Sequence, residues 1–106
     1  MGVDFNQLMK QAQQMQAQME KVQQELANET VEASAGGGMV TVTATGALEI
    51  TSIKIAPEAI DPDDPELLAD MVVAAVNEAI RSARSLAESK LGSAMGGLGG
   101  LGLPGL

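Results

Sequence analysis

Phe5, Leu8, Ala12, Met15, Met19, Val22 and Leu26 recur at alternating spacings of three and four residues. That is an a/d heptad, long enough for a helix–helix seam to be a serious reading. The stretch that carries most of it, LMKQAQQMQAQMEKVQQEL over residues 8–26, contains no proline, glycine or aromatic residue to interrupt a helix. The spacing predicts a first helix over residues 4–28. Its apolar stripe is narrow and suits one other helix rather than a broad core. Met15 and Met19 fit such a seam because methionine fills irregular gaps, whereas Met9 falls outside it. The glutamines are good helix formers that keep the outer face uncharged. Solvation and nucleic-acid contact are both open to them.

From Thr30 the pattern changes to strand. TVEASA, MVTVTAT and LEITSIKI are rich in β-branched residues and largely alternate. Gly36, Gly37 and Gly38 separate the first two runs, and Gly46-Ala47 separates the second from the third, as hairpin connections do. In the third run Leu48 and Ile50 share one parity while Ile53 and Ile55 share the other. A bulge near Ser52 or a strand buried on both faces would each account for this.

A loop with Pro57, Pro62 and Pro65 follows, and Asp64 stands at the N-cap position before Pro65. The second helix is expected to run from there to about Leu91. Leu68, Met71, Val72, Ala75, Val76, Ala79, Ile80, Ala83, Leu86 and Ala87 give it a broad apolar face with many small residues. Residues 92–106 hold seven glycines and read as a flexible tail beyond a folded domain of residues 1–91. The fold class is therefore α+β, in the order α-β-β-β-α, with a three-stranded antiparallel meander. Each helix should be about 37 to 41 Å long, against about 23 Å for a seven-residue strand. The helices must then project beyond the sheet, and an antiparallel pair joined by the heptad seam is the expected arrangement.

Composition removes several function classes. The 106 residues include one Phe and no Trp, Tyr, Cys or His. A core so poor in large side chains makes oligomerisation a reasonable route to buried area. Without cysteine or histidine the commonest nucleophile, general base and metal ligands are missing, so no catalytic residue and no cofactor is expected. AGGGMV lacks the Lys-Ser/Thr pair and following helix of a phosphate loop. DPDDPE begins like a calcium loop, but Pro65 replaces a ligand and helix capping explains the acids. No run approaches the about 20 apolar residues of a membrane span. The N-terminal residues show no signal peptide, so a cytoplasmic protein is expected.

The net charge of −8 is unevenly distributed. Residues 29–66 carry eight acids and one base, whereas residues 67–106 carry three of each. An antiparallel helix pair would bring Lys10 to a free end with Arg81, Arg84 and Lys90, opposed only by Asp4 and Glu88, for a balance of +2 per chain. Phosphate contact is one use for these cations. Helix-surface pairing of Arg81 with Glu78 and of Arg84 with Glu88 is the other.

LMKQAQQMQAQMEKVQQEL, VEASAGGGMVTVTATG, DPDDPELLADMVVAAVNEAI and the closing LPGL together resemble the YbaB/EbfC family of bacterial nucleoid-associated proteins, over nearly the whole chain. The resemblance implies a homodimer built around the strands, with helices projecting like tweezers. It also implies binding to double-stranded DNA in the nucleoid, altered DNA conformation and a part in gene regulation. Carried onto this sequence it marks Lys10, Arg81 and Arg84 as DNA-contact candidates, with Lys21 and Lys90 beside them by position. Apart from the resemblance, Gln7, Gln11 and Gln14 of the first helix offer further polar contacts. With few cations and no aromatic stackers, sequence readout should be weak. No membrane or small-molecule partner is expected. The rival reading is a coiled-coil adaptor that binds another protein and no nucleic acid.

Overall fold

The computed structural model describes residues 4–99, with side chains of the last helix described as far as Ala94. Its elements are α1 (Phe5–Asn28), β1 (Thr30–Ala35), β2 (Val40–Thr45), β3 (Ile50–Ile55), a single 3-10 turn (Pro57–Ala59) and α2 (Pro65–Gly99). The order is the expected α-β-β-β-α, with the antiparallel sheet in the order β1-β2-β3.

Local chemistry explains the boundaries. Asp4 caps α1 by accepting hydrogen bonds from the Asn6 and Gln7 amides at 3.1 and 3.4 Å. Asp64 does the same for Leu67 at the start of α2, 3.3 Å away, with Pro65 as the first helical residue. Gly36, Gly37 and Gly38 all adopt positive φ and turn β1 into β2. In the second hairpin the Thr45 hydroxyl accepts from the Ala47 and Glu49 amides, and Leu48 takes the positive φ.

Strand register settles the parity of β3. Thr43 pairs with Ser52 but Ala44 pairs with Ile50, so Thr51 is an extra residue on β3. This is the bulge alternative, one residue from Ser52. It places Ile50, Ile53 and Ile55 on one side of the sheet, level with Ala44, Val42 and Val40. Val31, Ala33 and Ala35 of β1 fall on the same side. Against that side lies α2, whose Ala75, Ala79 and Ala83 are fully buried with Val40, Val42 and Ala44. The opposite side is polar, and there the Ser34 and Thr41 hydroxyls bond at 3.0 Å.

Two expectations about the helices need correction. First, α2 does not stop near Leu91 but continues through Gly99. Glycine costs a helix only about 1 kcal/mol each, so Gly92, Gly96 and Gly97 do not end it. Of the proposed flexible tail, residues 92–99 are thus helical, while 100–106 and the side chain of Met95 lie outside the described residues. Second, the α1 seam does not pack along α2. Only Val22 and Leu26 are buried; Phe5, Leu8, Met15 and Met19 are exposed, Phe5 at 72 %.

The reason is length. The end of α1 is fixed beside Lys90 of α2, leaving nine further residues of α2 against more than twenty of α1. At 1.5 Å per residue α1 overshoots α2 by about 20 Å. The chain accordingly extends 77 Å along its long axis, with a radius of gyration of 20.6 Å, against about 13 Å for a compact chain of this size.

The arm is joined to the body at Gly46. A Cβ there would lie 2.7 Å from Leu26 Cδ2 and 2.9 Å from the Leu26 carbonyl oxygen, and the Gly46 amide donates to the Glu29 carbonyl at 3.0 Å. Replacement Gly46→Ala is expected to lower the unfolding free energy by about 1–3 kcal/mol, read as an earlier urea midpoint at unchanged slope. An unchanged midpoint would mean that Leu26 moves aside without cost.

Candidate nucleic-acid interface

A helix that leaves its own domain exposes every face of its free portion. On α1 that portion is residues 5–21, all exposed. At 100° per residue, Lys10, Gln14, Ala17 and Lys21 fall in one row at spacings of four, three and four, and the row lies opposite the heptad seam. The two ammonium groups are thus carried about 16 Å apart along the helix. Gln7 lies beside this row and Gln11 beside the seam. No ion pair among the described residues involves Lys10, Lys21 or Arg84.

The other expected contacts are placed differently. Lys90 is half-buried at the joint, its Nζ 2.5 Å from Glu29 Oε1 and 3.1 Å from Glu25 Oε2. The hydrogen bonds to Glu29 and then to Glu25 raise its pKa above the ordinary lysine value. Its charge is spent on holding α1 to α2. Arg81 donates to Glu78 Oε2 through Nε and Nη2 at 3.1 and 2.7 Å, as the surface-pair alternative foresees. Arg84 faces away from the sheet, one residue after the buried Ala83. It therefore lies on the body, about 30 Å along the molecule from Lys10.

The cationic free end is accordingly corrected. The structure does not gather Lys10, Arg81, Arg84 and Lys90, because α1 extends far beyond the part of α2 that holds the arginines. Instead it assembles Lys10, Gln14 and Lys21, which the sequence spacing could have shown had the face opposite the seam been followed. On this arm Asp4 is engaged as the cap and Glu20 flanks the row. The acids of the middle segment stay behind, on the sheet and in the loop before α2. Two of them act locally there: Asp61 accepts from the Asp63 amide at 2.9 Å, and Asp64 caps α2. Among the described residues no group of three or more acids is arranged to hold a metal ion, and no helix is long and apolar enough to cross a membrane.

Comparison with known proteins bears on this geometry. The sequence profile of the YbaB/EbfC DNA-binding family matches residues 1–98. The chain belongs to that family. Among its relatives, a nucleoid-associated protein of Ruminiclostridium cellulolyticum is 55% identical over 94% of this chain and 87% of its own length. One of Acetivibrio thermocellus is 55% identical over 99% and 91%, and one of Saccharopolyspora erythraea 50% identical over 97% and 94%. The solved structure of an uncharacterized protein from Helicobacter pylori shares the fold, with a TM-score of 0.75 over 89% of this chain and 98% of that one at 21% identity.

In this YbaB/EbfC chain the arm's placement depends on Lys90, so its protonation can be read directly. A carbon NMR titration of the lysine Cε is expected to give Lys90 a midpoint above the ordinary lysine value. The ion pairs contribute fully below the unfolded-state pKa and are lost as the pH rises through the higher folded-state one. A midpoint at the ordinary value would show that the pairs do not persist in solution.

Proposed function

We propose that this chain binds double-stranded DNA as a homodimer, with the α1 arms as the gripping elements. The observation that carries the reading is the Lys10–Gln14–Lys21 row, held on a bare helix well away from the acidic sheet. A helix of this width enters a major groove about 12 Å wide or lies along its rim. Lysines spaced along it meet phosphates, and glutamine amides offer both donors and acceptors. Two lysines are a weak grip. Doubling them in a dimer makes the second contact intramolecular, which raises affinity without new chemistry.

The dimer face proposed is the uncovered part of the sheet and helix. Ile53 and Ile55 lie on the α2 side of the sheet, yet α2 covers β1 and β2 and leaves them open, Ile53 at 45 %. On α2 the row Val73, Val76, Ile80 and Ala87 flanks the sheet-facing alanines, with Val73 58 % exposed. Such a row beside a core whose largest fully buried side chains are valines is what a second subunit would cover. Contacts that go mainly to phosphates favour weak sequence preference, suiting a role in nucleoid organisation, DNA conformation and gene regulation.

The test is salt-dependent binding of a random-sequence duplex, followed by fluorescence anisotropy. Log affinity should fall linearly with log salt at a slope between about −3 and −6, at about −0.9 per phosphate neutralised. Lys10→Gln with Lys21→Gln should weaken binding and flatten the slope by about 0.9 for each lysine that meets a phosphate, whereas Lys54→Gln on the sheet should change little. An unaltered slope in the arm variant would move the site elsewhere. No binding at about 50 mM salt would favour the protein-adaptor reading instead.

A further inference from the structure

We propose that the exposed part of the α1 seam, from Phe5 to Met19, is a docking face for the same seam of a second copy. Among the described residues nothing covers it: paired from the Lys90 joint, the last described residue of α2 falls level with about residue 18 of α1. Phe5, Leu8, Ala12 and Met15 lie beyond that point, with Leu8 48 % and Met15 51 % exposed. An apolar row at alternating three and four spacing is the surface that another helix fills.

The flanks of the row identify the occupant. Within the helix, the heptad positions beside the exposed seam hold Met9, Gln11, Gln16 and Gln18, all uncharged, and the one charged flank, Asp4, is engaged as the N-cap. Of the helical charges, Lys10, Glu20 and Lys21 sit at outer positions, and Glu25 lies beyond the exposed stretch, paired with Lys90 at the joint. Charged flanks choose a partner and its orientation by attraction and repulsion. Neutral flanks impose no repulsion on an identical helix and offer no charge code to a foreign one. Glutamine amides facing each other also satisfy both their donors and their acceptors. Beside the seam, Asp4, Gln7, Leu8 and Gln11 bound a shallow depression.

The contact uses the face opposite Lys10, Gln14 and Lys21, so the row proposed for DNA stays open when two arms pair. It deepens the DNA reading by linking copies, and it is separate from the body face of Ile53, Ile55 and Val73. About two heptads bury little area, so the pairing is weak in free solution. It becomes effective among molecules already concentrated on one duplex.

Sedimentation velocity of the full chain over a range of concentrations tests this. The unaltered protein should show a weight-average mass that climbs with concentration above that of a dimer. The double variant Leu8→Glu/Met15→Glu should hold at the dimer, while Gln13→Glu/Ala17→Glu, with the same added charge on outer positions, should behave as the unaltered chain. Val73→Glu should still pair as concentration rises, and all three seam and body changes together should give a monomer. Helix content by circular dichroism checks that the arm variants fold. Association unchanged in Leu8→Glu/Met15→Glu, or lost equally in the outer-face control, would overturn the proposal. So would a Val73→Glu chain that stays monomeric at its highest soluble concentration. Seam-dependent association in a protein that fails to bind DNA would sink the DNA reading alone.

Discussion

Ala75, Ala79 and Ala83 bring the backbone of α2 close to β1 and β2 because nothing larger than a methyl stands between them. Their methyls meet Val40, Val42 and Ala44, and this small contact is most of the buried core. Close approach gains packing density, but short side chains remove little area from water, and area is what drives burial. A body built this way holds a helix firmly along one line and has nothing left with which to cover β3 or the sides of α2. The exposed Ile53, Ile55 and Val73 follow from that economy of side chains as much as from any demand of a partner.

The same line of contact determines where the arm goes. Because α2 runs straight past the sheet, Lys90 arrives beside the end of α1, where Glu25 and Glu29 meet it and Leu26 closes over Gly46. A hydrophobic plug on one side and paired charges on the other define a direction for α1 at its root. Beyond Val22 the helix depends on its own propensity, supplied by glutamine, alanine, methionine and lysine, and on the Asp4 cap. Isolated helices of this length are marginal in water, so the arm is the part of the molecule that gains most from being covered.

Element order, strand limits and helix caps were legible in the sequence because they depend on neighbours in the chain. The change from 3-4 spacing to alternation at Thr30, the glycines at 36–38 and Asp64-Pro65 each act locally. The bulge was legible only as one of two alternatives, since a parity break at Ser52 fits a strand buried on both faces as well as one with an extra residue. What the sequence did not disclose was register between α1 and α2. Seven seam positions form one contact only between helices of matched overlap, whereas the Lys90 joint offsets them and leaves four of the seven beyond the described end of α2. The DNA-contact candidates changed with it: Lys10 kept its exposure, Lys90 became a structural ion pair, and Lys21 moved from the margin into a row with Gln14.

Opposite faces of one bare helix carry the two features that ask for a partner, cations on one side and the seam on the other. That placement has a thermodynamic consequence independent of how tight either contact is. Ordering the arm costs conformational entropy once, and whichever partner arrives first meets that cost. The second then binds an arm already held. Coupling of this kind is reciprocal, so in the proposed assembly a duplex lying along Lys10 and Lys21 would strengthen the pairing of seams behind it, and paired seams would strengthen the grip on the duplex. If both proposed contacts form, an acidic protein with two lysines per arm has a means of accumulating on DNA that does not require a strongly basic surface. The neutral glutamines suit such a design, because they stabilise the helix without adding charge that either partner would have to overcome.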